Sequence, residues 1–161
     1  MANPAKPIPE GHHTVTPGLT CKNAAQAIEF YKKAFGAQEI ASMPSPDGQI
    51  SHAELRIGDS VIFLNDEFPG MCAAPSQSLP SSTLFLYVRN VDSTFNQAVA
   101  AGATPTIPVQ DMFWGDRFGK VVDPFGHHWG IATHMEDVAL DEMERRAKAF
   151  FANLAKAAGQ S

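Results

Sequence analysis

The sequence predicts an α+β fold in which two βαβββ modules are followed by a C-terminal helix. Three observations support this: an internal repeat, runs of strand-like alternation that switch to helical spacing, and a Pro- and Ser-rich break between the halves. The repeat aligns residues 16–23 with residues 83–90, and each segment is a strand-like run that ends at an asparagine. Such a repeat indicates two copies of one supersecondary unit.

Each repeated strand is followed by a predicted helix. Asn23 and Asn90 are suited to cap the first turn, because an Asn side chain accepts a hydrogen bond from a free backbone amide there. Gly36 and Gly102 are suited to end the helices, since glycine adopts the left-handed conformation without strain. Apolar residues recur at helical spacing between these limits, at Ala27, Ile28, Tyr31 and Phe35 and again at Val91, Phe95, Ala98 and Val99.

Three strand-like runs follow each helix, so that each half has the order β-α-β-β-β. Turn signals separate the runs, namely Pro46-Asp47-Gly48 and Gly58-Asp59 in the first half and residues 123–126 (Asp-Pro-Phe-Gly) in the second. The runs are residues 39–43, 50–57 and 60–64, followed by 104–109, 117–123 and 128–134.

The chain is predicted to divide into five segments within one structural domain. The linker is predicted because residues 68–82 contain three Pro and four Ser and show no hydrophobic periodicity. The segments are a flexible N-terminus (1–11), the first module (12–66), the linker (67–82), the second module (83–134) and the C-terminal helix (135–161).

The C-terminal helix is predicted to begin at Asp137 or Asp141 and to carry an apolar stripe on one side. Such a stripe must be covered by its own chain or by a partner. We therefore expect it to cover a sheet edge or a linker, and we expect a homodimer. The stripe comprises Val138, Met143, Ala147, Phe150, Phe151 and Leu154.

Charge and composition exclude several classes of function. The formal net charge is −5, and the longest basic runs are the pairs Lys32-Lys33 and Arg145-Arg146, so we expect no nucleic-acid partner. No apolar run reaches the roughly 18 residues of a membrane span. Residues 1–11 lack the apolar core of a signal peptide. We expect no membrane partner.

The cysteines and the absence of nucleophile motifs narrow the chemistry further. Cys21 and Cys72 match no metal-binding or redox spacing, which is typical of a cytoplasmic protein with reduced thiols. The sequence has no Gly-rich phosphate loop, no Gly-x-Ser-x-Gly elbow and no Cys-His nucleophile pattern. Nucleotide-dependent and covalent hydrolytic chemistry are therefore not expected.

Two blocks of the sequence resemble the glyoxalase/bleomycin-resistance (vicinal oxygen chelate) superfamily, and more closely its PhnB-like branch. The blocks are Asn23–Gly36, and Trp114–Gly119 together with Asp123–His134. The resemblance covers residues 12–137. It implies two modules that each curve a small mixed sheet around a cavity, usually in a homodimer whose subunits exchange modules in some members.

The resemblance also bears on a metal site. In metal-dependent members of the superfamily, His, Glu or Gln residues on the first and last strands of the two modules bind a divalent metal. These positions correspond to Thr16, Phe63, Thr83 and Gly130 here. Phe and Gly offer no side-chain donor and Thr is a poor one, so we expect neither a metal nor another cofactor.

A polar site is predicted on the strand at residues 51–57. The strict alternation places His52 and Glu54 on one face, with Ala53 and Leu55 on the other. His52 and Glu54 then lie about 7 Å apart along the strand, close enough for an acid/base pair or for binding a polar ligand. The alternative is a solvent-facing row of side chains that only pair with one another.

The remaining histidines are assigned by their positions. His128 and His134 alternate along the last strand and are predicted to share its cavity face, so one of them is a candidate for the pocket. His127 precedes that strand and is expected to be structural. His12 and His13 are expected to belong to a flexible lead-in.

An aromatic loop supplies another candidate. Residues 112–117 place Trp114 beside the oppositely charged Asp116 and Arg117, and loops that present Trp often close over ligands. Two structural alternatives stay open: Asp116 and Arg117 pair with each other, and Trp114 forms a wedge between the modules.

The sequence supports three hypotheses of function, and whether a reaction is catalysed stays open. The first is a metal-free small-molecule-binding protein of the bleomycin-resistance type. The second is a metal-dependent lyase, isomerase or dioxygenase of the same superfamily with a displaced ligand set such as His52, Glu54 and His128. The third is a structural dimeric module with an unused cavity. For the first hypothesis, the predicted ligand-binding residues are Phe63, Phe85, Tyr87 and Trp114, with His52, Glu54 and His128 supplying polarity.

Overall fold

Each half of the chain forms one four-stranded mixed sheet with a helix packed on one face. The structure is a computed structural model that describes residues 5–76 and 82–159. Part of the predicted linker, residues 77–81, lies outside the described residues. The elements are β1 (Gly18–Cys21), α1 (Ala24–Phe35), β2 (Gln38–Pro44), β3 (Ile50–Ile57), β4 (Ser60–Asp66), β5 (Leu84–Tyr87), α2 (Val91–Ala101), β6 (Thr104–Asp111), β7 (Asp116–Val122), β8 (His128–His134) and α3 (Leu140–Ala158).

The two sheets have the same topology. The strand order is β1-β4-β3-β2 in sheet 1 and β5-β8-β7-β6 in sheet 2. The first strand of each module pairs in parallel with the last, and the other pairs are antiparallel. The predicted α+β fold of two βαβββ modules with a C-terminal helix is confirmed.

The predicted helix caps are confirmed as well. The side chain of Asn23 accepts a hydrogen bond from the backbone amide of Gln26 (3.1 Å), and that of Asn90 accepts one from the amide of Ser93 (3.0 Å). Gly36 ends α1 with a φ of 66°, a conformation that costs other residues energy because of their Cβ atom. The repeated strand-to-helix junctions therefore have the same local chemistry.

One apolar core joins the two modules through their helices. α1 packs against α2, and the ring of Trp129 on β8 lies 5.5 Å from the ring of Tyr31 and 4.6 Å from that of Phe35, both on α1. Since the helices cover the facing sides of both sheets, the opposite sides are turned away from this core. We call these sides the outer face of sheet 1 and the outer face of sheet 2.

The start of the C-terminal helix differs from the prediction. α3 begins after Ala139, which makes no side-chain capping bond, and Asp141 lies inside the first turn. Asp137 is not the cap because its carboxylate binds His134 instead. No residue of α3 is buried, and its rings at Phe150 and Phe151 pack on the loop before β7. Among the described residues, none of the helices is long and apolar enough to cross a membrane.

Candidate functional site

The outer face of sheet 1 carries the polar pair that the alternation predicts. Ala53 and Leu55 are fully buried toward the helix, whereas His52 and Glu54 project to the outer face. The His52 Nε2 atom lies 3.3 Å from Glu54 Oε1. Phe63 on β4 is the register partner of Glu54, and its ring lies 4.8 Å from that of His52. Three predicted site residues therefore form one cluster.

A residue that the sequence interpretation placed in the lead-in completes this cluster. The side chain of His12 is only 11% exposed; its Nε2 atom lies 3.3 Å from Glu54 Oε2, outside hydrogen-bond geometry, and its ring lies 5.7 Å from that of Phe63. The expectation that His12 is part of a flexible lead-in is wrong. No local pattern could have revealed the contact, because it joins residues from separate segments that only the folded chain brings together.

The outer face of sheet 2 is aromatic. Phe85 on β5 and Phe118 on β7 stack with their ring centroids 5.4 Å apart and their planes 9° apart. Gly130 lies between them on β8, and a Cβ atom there would come within 2.9 Å of both rings. The glycine that stands at one of the superfamily's metal positions therefore makes room for an aromatic pair.

Asp116 is the polar centre of the same face. Its carboxylate is 3% exposed and accepts hydrogen bonds from Tyr87 Oη (2.9 Å) and Trp114 Nε1 (3.0 Å). His134 Nδ1 lies 2.8 Å from the other carboxylate oxygen. The low exposure of a carboxylate with three partners indicates that Asp116 holds the surrounding side chains in fixed positions.

Neither structural alternative for the aromatic loop is correct. Arg117 does not pair with Asp116, because its guanidinium binds Asp92 at 2.7 and 2.8 Å and Asp111 at 3.1 Å. The side chain of Trp114 contacts residues of the second module and is not a wedge between the modules. Adjacent residues on a strand point to opposite faces, which explains why Asp116 and Arg117 find different partners.

His134 should titrate at a raised pKa, because both of its ring nitrogens face carboxylates. Its Nε2 atom lies 2.8 Å from Asp137, and the hydrogen bond to Asp116, followed by that to Asp137, raises its pKa above the usual 6.5. The two contacts of protonated His134 therefore stabilise the fold fully at a pH below the pKa that His134 has in the unfolded chain. This stabilisation is lost as the pH rises through the higher pKa that His134 has in the folded chain. We expect the ring-proton titration by NMR to show this rise, with Asp137→Asn reducing it only in part. A pKa of His134 at or below 6.5 would contradict the contact.

The other two histidines of this region have different roles. His127 Nε2 lies 3.0 Å from the carbonyl oxygen of Thr20, which confirms a structural role between the modules. His128 is half-buried on the outer face of sheet 2, and its Nδ1 atom is buried without a hydrogen-bond partner. Because His52 and Glu54 lie on sheet 1, one chain does not bring the displaced ligand set together. No group of three or more His, Cys, Asp or Glu within residues 5–76 and 82–159 is arranged to hold a metal ion.

A cleft of about 1040 Å³ runs along β5 between the modules. Phe85 and Tyr87 lie on its wall from the second module, and Phe35, Val61 and Ile62 lie on its wall from the first. The predicted ligand-binding residues thus divide into two groups. Phe85, Tyr87 and His128 lie on sheet 2, with Trp114 in the loop before β7, and His52, Glu54 and Phe63 lie on sheet 1.

Known proteins share this architecture. The chain is 43% identical over 136 residues to the uncharacterized protein Mb0911c of Mycobacterium bovis, covering 81% of this chain and 89% of the relative. The crystal structure of TioX from Micromonospora sp. ML1 superposes with a TM-score of 0.63 at 25% identity, over 76% of this chain and 99% of TioX.

The PhnB protein from Bacillus cereus has the same fold at 17% identity, with a TM-score of 0.61 over 75% of this chain and 99% of PhnB. The model of the Glyoxalase/Bleomycin resistance protein/Dioxygenase superfamily matches residues 11–131. The chain belongs to the glyoxalase/bleomycin resistance protein/dioxygenase superfamily.

Proposed function

We propose that the protein binds a small molecule on the outer face of sheet 2 and in the adjoining cleft, without a metal at the superfamily's usual positions. The observation that carries this proposal is the exposure of two aromatic side chains at the cleft: Phe85 is 48% and Tyr87 61% exposed. Apolar concavities lined by aromatic residues and a few fixed polar groups are the common form of ligand sites. An aromatic face left open to water is costly unless something covers it.

The polar groups around this face are held in place and oriented. Asp116 fixes the hydroxyl of Tyr87 and the indole of Trp114, so both rings are positioned before a ligand arrives. Rings that are already ordered lose little conformational entropy on binding. The half-buried imidazole of His128 lies at the other end of the face. The proposed contacts of the ligand are Phe85, Tyr87, Trp114 and His128.

The polar cluster of sheet 1 supplies the second wall in this proposal, from a second copy of the chain. His52, Glu54 and Phe63 lie on an outer face that points away from the shared core, as do the aromatic residues of sheet 2. Two copies of the chain can therefore place a polar face opposite an aromatic one, whereas one chain does not. The alternative function, a metal-dependent lyase, isomerase or dioxygenase, would require ligands from both copies.

Phe85→Ala should weaken the binding of a planar aromatic probe such as 2-naphthalenemethanol by about tenfold, because a stacked aromatic contact is worth roughly 0.5–1.5 kcal/mol in addition to the apolar area that it buries. Titration calorimetry on chelator-treated protein measures the affinity. Treatment with the chelator should leave both the affinity for the probe and the melting temperature of the protein unchanged.

Met71→Ala is the matched control, since Met71 is 86% exposed in the segment after β4 and lies neither in the cleft nor on α3. Its affinity for the probe should equal that of the unsubstituted protein. Stoichiometric metal whose removal abolishes binding and lowers stability would support the enzyme instead. Equal losses of affinity in the Phe85 and Met71 variants would contradict the proposed site.

A further inference from the structure

The outer face of sheet 2 has an unbalanced positive charge next to its aromatic pair. Lys120 on β7 is the register partner of Gly130, which places it on the same face as the stacked rings of Phe85 and Phe118. The side chain of Lys120 is half-buried. Within the described part of the chain, its ammonium takes part in no hydrogen bond or ion pair; the side-chain hydroxyl of Thr106 donates to its carbonyl oxygen instead.

His128 lies next to this lysine. His128 is the register partner of Val122, so it sits diagonally across from Lys120 on the neighbouring strand, a spacing of roughly 7–8 Å between Cα atoms. Desolvation and the charge of Lys120 lower the pKa of His128. The buried Nδ1 atom of His128 has no hydrogen-bond partner. The ammonium of Lys120 therefore lies beside a half-buried imidazole.

The carboxylates of this region do not neutralise Lys120. Asp116 is already bound by Tyr87, Trp114 and His134, and Asp111 is bound by Arg117. On sheet 1, the position equivalent to Lys120 is Glu54, since Glu54 pairs with Phe63 as Lys120 pairs with Gly130. Glu54 has two imidazoles beside it, at His12 and His52. The charged group of sheet 1 therefore has polar side chains beside it within its module, whereas the ammonium of Lys120 has no carboxylate partner among the described residues.

We infer that Lys120 and His128 form an anion site that selects a planar aromatic or conjugated ligand bearing one carboxylate, with its flat part against the exposed ring of Phe85. This inference rests on the proposed ligand site and adds the charge of the ligand. The stacked rings favour a flat apolar group, and a single ammonium beside one imidazole matches a monoanion. Gly130 leaves room for the rings of Phe85 and Phe118 to lie over β8, beside Lys120.

The test compares two probes of similar shape, 2-naphthoate and neutral 2-naphthalenemethanol, by titration calorimetry on the full chain. We expect naphthoate to bind at least about tenfold more tightly, because hydrogen bonds to charged groups are stronger than neutral ones. Lys120→Gln should remove that preference while leaving the affinity for the alcohol unchanged. Lys120→Arg should retain most of it, and Lys33→Gln, an exposed lysine on α1, should have no effect.

The outcomes separate this inference from the proposal on which it rests. Equal affinities of the unsubstituted protein for both probes would overturn the anion site and leave the small-molecule site standing. A Lys120→Gln variant that loses affinity for both probes equally would also overturn the anion site, because Lys120 would then support the fold and not the ligand's charge. Failure of both probes to bind would overturn the proposed small-molecule site itself.

Discussion

Asp123→Asn should lower the free energy of unfolding by about 2–4 kcal/mol, because it leaves buried donors without an acceptor at a cost of roughly 1–3 kcal/mol each. The carboxylate of Asp123 is 4% exposed and lies in the turn between β7 and β8. One of its oxygens accepts hydrogen bonds from Tyr31 Oη (2.6 Å) and Trp129 Nε1 (2.9 Å), and the other accepts the backbone amides of Phe125 and His127 (both 2.9 Å). An amide group in its place would turn its own N–H groups toward two of these donors.

The effect should be global, since Tyr31 belongs to α1 of the first module and Asp123 to the second. We expect the melting temperature to fall by roughly 5–15 °C, at about 2–4 °C per kcal/mol for a chain of this size. Asp92→Asn is the matched control: Asp92 is exposed, so solvent screens its ion pair with Arg117 and the pair should contribute little to stability. Similar melting temperatures for the two variants would show that Asp123 does not join the modules.

Replacing both Phe151 and Leu154 with Glu should convert a homodimer into a monomer. The two side chains are 59% and 51% exposed on α3, and Leu140 at the start of the helix is 73% exposed. An apolar stripe on a helix with no buried residue loses free energy in water unless a second surface covers it. The contacts of Phe150 and Phe151 with Phe113 cover only one side of the stripe. We expect light scattering to give twice the chain mass before the substitutions and the chain mass after them.

Lys148→Glu is the control for this pair of substitutions. Lys148 is exposed on the same helix, so the new glutamate adds negative charge without changing the apolar stripe. It should leave the mass unchanged. A monomer of the unsubstituted protein at micromolar concentration would contradict the assembly. So would a dimer that survives both glutamates, since its interface would then lie elsewhere.

Local sequence patterns were sufficient for most of the secondary structure. The caps at Asn23 and Asn90 and the alternation from Ala53 to Ile57 depend on residues within one or two turns of each other, and the structure has them as predicted. The start of α3 was predicted wrongly because a local pattern does not show which side chains are bound by another element. An Asp before an apolar stripe is a typical cap, but the carboxylate of Asp137 is used by His134, which belongs to the neighbouring strand.

The sequence by itself determined the two-module fold, the faces on which His52, Glu54 and His128 lie, and the absence of side-chain donors at Phe63 and Gly130. Only the tertiary structure decided which of these groups meet. Alternation assigns a side chain to a face but not to a neighbour on another strand. His12 therefore reaches Glu54, and Asp116 gathers Tyr87, through distant contacts that no local period encodes. The back-to-back packing of α1 and α2 turned the two outer faces away from the shared core, because burying the helices together excludes more apolar surface than either module could alone.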